Sequence, residues 1–236
     1  LQVSDFLISL GYGKNSDFEE SFLNLSRSNR LVCFDSSINL WSMISSLLAS
    51  LPIVGKDKNS YLPYRIRQLY EYLKFRLNPR VSYKNLKVYG YSVPDSKKTI
   101  SFSQVLNMIG DFKRTIIKMD IEGAEYPCLL SALSSSDLIH LNAMVVEFHA
   151  ISDNREAFER IIGHFLKTFD IAHIHINNYG EIINGIPQVL EISFINRKLN
   201  SFEKLYIDQI PHGLDEPCNP RVADLIYTFD RQDSKI

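Results

Sequence analysis

Ile116-Ile117-Lys118-Met119 is an apolar run of strand length that stops on a cluster of acids, Asp120, Glu122 and Glu125, with Gly123 among them. Such a pattern reads as a buried strand opening into a strand-to-helix turn. Pro127 falls in the first turn or so of the next helix, where proline is tolerated. A strand–turn–helix unit of this kind constrains the chain toward an α/β sheet, and in open α/β sheets ligands sit at the carboxyl ends of strands. The three acids therefore stand where chemistry is expected. Crowded carboxylates repel one another unless a cation, a proton or a hydroxyl-bearing ligand intervenes. The plainer alternative is that Glu122 and Glu125 decorate a helix N-terminus, where negative charge is favoured.

The same alternation recurs along the chain. Phe6–Leu10 reads as a first strand, followed by Gly11-Tyr12-Gly13 and a helix from Asp17 to Leu25. Leu31–Phe34 reads as a second strand ending at Asp35. Strand, glycine turn, helix, strand, acid is the outline of a nucleotide-binding unit, and Asp35 lies 24 residues after Gly11, near the spacing of about 20 expected for a ribose-binding acid. A third fingerprint glycine is absent, since position 16 is Ser, which counts against a pyrophosphate cofactor. Residues 37–80 interrupt the pattern with two helical runs, the second from Leu62 to Leu77, and read as a helical insertion. Leu86–Val93 reads as the third strand, Ser101–Ile109 as a helix, and Thr115–Met119 as the fourth strand. Asn142–Phe148 reads as the fifth, Asn154–Phe169 as a helix, Ile171–Ile176 as the sixth and Val189–Asn196 as the seventh. The expectation is one α/β domain over 1–236. It has a mostly parallel seven-stranded sheet, helices on both faces and a tail wrapping the core after about residue 200.

Composition narrows the function. A formal net charge of −1 gives no basic footprint for nucleic acid. Cys33, Cys128 and Cys218 lie far apart without CxxC spacing, against a zinc knuckle or a disulfide framework. No apolar run reaches the 18 or so residues of a membrane span. The expected location is the cytoplasm, with an anchor or signal ahead of Leu1 left open.

Three strand ends carry polar groups that a parallel sheet brings to one edge: Asp120 and Glu122, then Glu147 and His149, then His175 with Asn177 and Asn178. Histidine with carboxylates suits a general base or a divalent cation. Among the candidate ligands Asp120, Glu147, His149 and His175, the carboxylates suit Mg²⁺ or Mn²⁺, and the imidazoles shift the balance toward Mn²⁺, Fe²⁺ or Zn²⁺. The candidate catalytic set is Asp120, Glu122, His149 and His175, with Asn177, Asn178 and Glu122 toward substrate. His173 is expected to be a core or supporting residue.

The stretch Lys118-Met119-Asp120-Ile121-Glu122-Gly123-Ala124-Glu125-Tyr126 resembles the signature of the FkbM-type family of S-adenosylmethionine-dependent methyltransferases. Val145–His149, His173–Asn178, Pro187–Phe194 and Ile210–Arg221 match further motifs. The resemblance implies a class I methyltransferase (Rossmann-like) sheet whose last strand is antiparallel. It implies S-adenosylmethionine bounded by Leu10, Gly11, Gly13, Asp35, Ser36, Ser92 and Asp120, with Asp35 on the ribose and Tyr91-Ser92-Val93 beside the adenine. It also implies O-methylation of a hydroxyl on a sugar, glycan or related natural product. A metal-dependent hydrolase built on the HxH and carboxylate cluster, and a non-catalytic cofactor-binding module, are the alternatives. The expected partner is a small-molecule or glycan acceptor and not nucleic acid. Nothing in the sequence fixes the oligomeric state.

Overall fold

The computed structural model describes residues 4–12, 16–37, 40–49, 62–90, 98–135, 137–200 and 209–228. Seven strands form one sheet: β1 (Phe6–Leu10), β2 (Arg30–Phe34), β3 (Val81–Lys84), β4 (Thr115–Met119), β5 (Ala143–His149), β6 (Phe169–Ile176) and β7 (Val189–Asn196). Their order is β3-β2-β1-β4-β5-β7-β6. The strands from β3 across to β5 are parallel, and β7 runs antiparallel between β5 and β6. This is the sheet the resemblance implied, including the reversed last strand.

Period-two alternation sends each strand's side chains to two faces. Ile8 and Leu10 of β1, Phe34, Ile117, Met119, Val146 and Phe148 build one core. Helices α4 (Phe102–Leu106), α5 (Glu125–Ala132) and α6 (Arg155–Phe165) close over it through Val105, Leu129 and Phe165. On the other face Leu7, Leu31 and Cys33 pack against Phe22 and Leu23 of α1 (Asp17–Leu25) and Tyr72 and Phe75 of α3 (Leu62–Arg76). Burying a side chain of this size contributes roughly 1.5–3 kcal/mol, so each helix is fixed by its apolar stripe. Helix α2 (Leu40–Ala49) precedes α3, and both lie in the connection from β2 to β3.

The third strand is a correction. The sheet uses Val81–Lys84, where the sequence reading placed Leu86–Val93. Lys87–Val88 instead pairs with Thr99–Ile100 in a separate two-strand element, and 91–97 lie outside the described residues. The physical reason is that β3 is an edge strand with only half its side chains covered. It therefore lacks the apolar run that marked the others. It is fixed by ladder hydrogen bonds such as Leu31 N donating to Arg80 O at 2.9 Å.

The segment 209–228 lies against the exposed side of β6. His173 Nε2 donates to Asp215 Oδ1 at 2.8 Å, and Asn178 Nδ2 donates to the carbonyls of Asn219 and Val222, both at 3.2 Å. Gln209–Ile210 pairs with Tyr227–Thr228 and closes this segment on itself.

Candidate active site

The site begins where β1 and β4 end. Gly11 has φ +78°, and a Cβ there would lie 1.5 Å from the Asp120 carbonyl oxygen. Only glycine permits this turn. Gly11 N donates to Phe34 O at 3.0 Å and Asp120 N donates to Leu10 O at 2.9 Å, so three strand tips are tied together. Beside them Asp35 directly follows β2, its Oδ1 accepting from the backbone N and the hydroxyl of Ser37, both at 2.6 Å. Ser36 is exposed next to it. Gly13 and Ser92 lie outside the described residues.

Past β4 the chain turns through Glu122 (φ 55°) and Gly123 (φ 93°). Glu125, wholly buried, accepts from Ile121 N at 2.9 Å and holds this turn. The same Oε1 accepts from His149 Nδ1 at 3.1 Å, while Oε2 is buried without a partner among the described residues. His149 Nε2 then points among carboxylates: Glu122 Oε2 and Glu147 Oε1 at 3.6 Å, Asp120 Oδ1 at 3.9 Å. Burial disfavours the imidazolium, but the Glu125 hydrogen bond and the surrounding acids outweigh it and push the His149 pKa up to about 9. Burial also raises Asp120 to about 6, against the pull of Lys118 and His149. Glu147 rises to about 7 through burial and the charges of Asp120 and Glu191.

A second group adjoins the first. Glu191 of β7 is in register with Glu147 on one side and His175 on the other. His175 Nε2 donates to Asp224 Oδ2 at 3.0 Å, and Nδ1 faces Glu191 Oε2 at 3.4 Å. Cys218 Sγ donates to Glu191 Oε1 at 3.4 Å and lies 3.8 Å from His175 Nδ1. Burial opposes the charged ring of His175, yet Asp224 and Glu191 raise its pKa. Burial, reinforced by Glu191, pushes the Cys218 thiol up to about 12.

Both groups open on a cleft of about 470 Å³ whose walls include Tyr12, Asp120, Glu147, Asn177, Glu191 and Cys218. Its lining holds four carboxylates, those of Asp120, Glu122, Glu147 and Glu191, against one lysine among the described residues. Lys118 itself is held by buried Glu19 at 3.1 Å. A cleft with this charge balance fits a cationic sulfonium ligand, and the glycine turn and Asp35 stand at the adjacent tips.

The structure brings Asp120, Glu122, Glu147 and His149 together and places His175 in the neighbouring group. Asn177 Nδ2 donates to Glu147 Oε1 at 2.8 Å, so it orients that acid. Asn178 is spent on the 209–228 segment, its Oδ1 accepting from Asn219 N at 2.6 Å. Sequence reasoning missed Glu125 as the support of His149, and Glu191, Cys218 and Asp224 as neighbours of His175. Glu191 carried a signal, an acid at the Glu147 phase of an otherwise apolar strand. Cys218 carried only its place in the Ile210–Arg221 motif and Asp224 carried none, because long-range packing puts them there.

Among solved structures the chain is similar to a precorrin-6y C5,15-methyltransferase from Geobacter metallireducens. The identity is 12%, the TM-score 0.40, and 83% of this chain and 82% of that one are covered. It is also similar to Aeropyrum pernix fibrillarin with natively bound S-adenosyl-L-methionine, at 10% identity and TM-score 0.39, over 82% and 67% of the two chains. No curated protein matches the chain. The profile described as "Methyltransferase FkbM domain" matches residues 9–183. That span holds the Gly11 turn, Asp35 and the whole Asp120–His149 group, and the chain belongs to the FkbM family of S-adenosylmethionine-dependent methyltransferases.

Proposed function

We propose that this protein moves a methyl group from S-adenosylmethionine to a hydroxyl of a sugar, glycan or related natural product, with Glu147 as the base. The observation that carries this reading is Glu147: a carboxylate on the cleft wall, raised to about 7 and flanked by a cationic His149. A base is most effective when its pKa lies near the working pH. At pH 7 His149, with a pKa near 9, is protonated and is not the base. It serves as a fixed cation that lets Asp120 and Glu147 stand close together.

The cofactor, when bound, supplies an activated methyl on a sulfonium. Leu10, Gly11, Gly13, Asp35, Ser36 and Ser92 would hold it, with Asp120 facing the cleft beside them. The chain's own groups then do three things. Asn177 and His149 orient Glu147. Asp120 and Glu122 receive hydrogen bonds from acceptor hydroxyls. Glu147 would take the acceptor's hydroxyl proton, and alignment of that oxygen against the methyl donor would supply much of the rate. Acidic walls disfavour phosphate-rich acceptors, which favours a glycan or small molecule over nucleic acid.

Glu147→Gln should lower kcat by about 10²–10⁴-fold while leaving S-adenosylhomocysteine binding intact, measured by transfer of labelled methyl to hydroxylated acceptors. Full turnover in a folded Glu147→Gln variant rules the assignment out. Binding without transfer to any acceptor supports a non-catalytic module instead. A second reading puts Mg²⁺ or Mn²⁺ among Asp120, Glu147 and His149, whose ligand atoms lie within 4.8 Å of one another. Loss of activity in chelator, restored by either ion, supports it. The hydrolase alternative loses its ground in a methyltransferase family.

A further inference from the structure

His175, Glu191, Cys218 and Asp224 have too few protons for their acceptors. Asp224 accepts the Nε2 proton of His175, so the neutral ring turns its Nδ1 lone pair toward Glu191 Oε2, itself an acceptor, at 3.4 Å. The single Cys218 proton goes to the other Glu191 oxygen. His175 is almost fully buried, whereas the Glu191 side chain is 33% exposed toward the cleft, so the opposed lone pairs meet at the buried ring. Two arrangements resolve them: a second proton on the ring, or a cation among the three groups.

The distances favour a cation. Zinc binds thiolate sulfur at about 2.3 Å and imidazole nitrogen at about 2.0–2.1 Å, so the edges of a tetrahedron of such ligands measure about 3.3–3.6 Å. The separations here are 3.4 Å from Nδ1 to Glu191 Oε2, 3.4 Å from Sγ to the other oxygen, Oε1, and 3.8 Å from Sγ to Nδ1, so a small turn of the carboxylate brings one oxygen to both partners. One atom from each of the three residues lies within 4.8 Å of the others. Asp224 completes the pattern, since metal-binding histidines usually donate their other ring N–H to a carboxylate that fixes the tautomer.

We infer that His175 Nδ1, Glu191 and Cys218 Sγ form a three-ligand site for a divalent ion of the zinc class, with Asp224 as the positioning residue behind the histidine. Thiolate and imidazole select such an ion over Mg²⁺. Glu191 and Cys218 also line the cleft. The fourth position therefore faces the cleft, as in sites that keep one place open for water or a substrate oxygen. On binding, the thiol proton leaves to solvent and the sulfur lone pair forms the bond to the metal.

The test is Co²⁺ titration of the chelator-stripped full chain, followed by absorbance. A saturable spectrum with a near-ultraviolet thiolate-to-cobalt band is expected, and Zn²⁺ should abolish it. Cys33 and Cys128 are fully buried, so the band reports Cys218. Cys218→Ser should remove the band, Asp120→Asn should leave it, and Asp224→Asn should weaken Co²⁺ binding by about 10-fold or more. If Cys218→Ser does not fold, Glu191→Gln provides the same test through weaker binding. No saturable spectrum overturns the inference and leaves the doubly protonated His175. A band unchanged in Cys218→Ser overturns it, and so does a cobalt spectrum that lacks the thiolate band and is lost in Asp120→Asn, which points to the neighbouring group. None of these readings depends on methyl transfer, so the two proposals fail separately.

Discussion

His149 shows how much a single side chain can draw on its surroundings. Its ring is wedged between a buried acid that holds Nδ1 and three acids around Nε2. The folded pKa of about 9 stands above the ordinary value of 6.5. The group therefore adds stability that is fully present below pH 6.5 and is lost as pH rises through 9. Denaturant melts of wild type and His149→Gln should differ most near pH 6 and converge above pH 9. A difference that grows with pH would mean the ring is neutral in the fold. Gly11 makes the opposite point, because there the absence of a side chain matters. Gly11→Ala combines a left-handed backbone with a contact no rotamer can relieve. A loss of about 3 kcal/mol or more is expected by chemical denaturation, whether or not ligand is present.

At the level of elements, legibility followed burial. Strands β1, β4, β5 and β7 carry apolar side chains that mark them in the sequence, and their expected limits fall within a residue of those observed. The edge strand β3 alternates half-buried and exposed positions over four residues, and the more apolar Leu86–Val93 concealed it. The strand tips were legible as acids and histidines. Their grouping was not, because it is set by sheet order: β7 enters between β5 and β6 and so parts His175 from His149. Asn178 shows how a residue read as facing substrate can instead be an anchor. Asn178→Ala should cost about 1–3 kcal/mol and speed tryptic cleavage at Arg221, which is exposed beside the contact. Unchanged cleavage would mean that His173–Asp215 and His175–Asp224 hold the segment without it.

For the whole molecule, family membership predicts that ligand binding and folding are coupled. S-adenosylhomocysteine at about 100 times its Kd should add about 2.7 kcal/mol, a rise in Tm of about 5–10 °C for a chain of this size. Thermal denaturation monitored by circular dichroism checks this, and no shift at saturating nucleoside would contradict the assigned cofactor pocket. Among the described residues no helix is long and apolar enough to cross a membrane.

The segment 209–228 reaches back across β6 to supply Cys218 and Asp224, although the recognised family span stops at 183. A gene product cut back to that span would lose β7 from between β5 and β6, and with it Glu191 and Cys218 from the cleft wall. Residues outside the profile thus furnish part of the cleft wall, and any ligand the cleft takes meets Glu191 and Cys218 there.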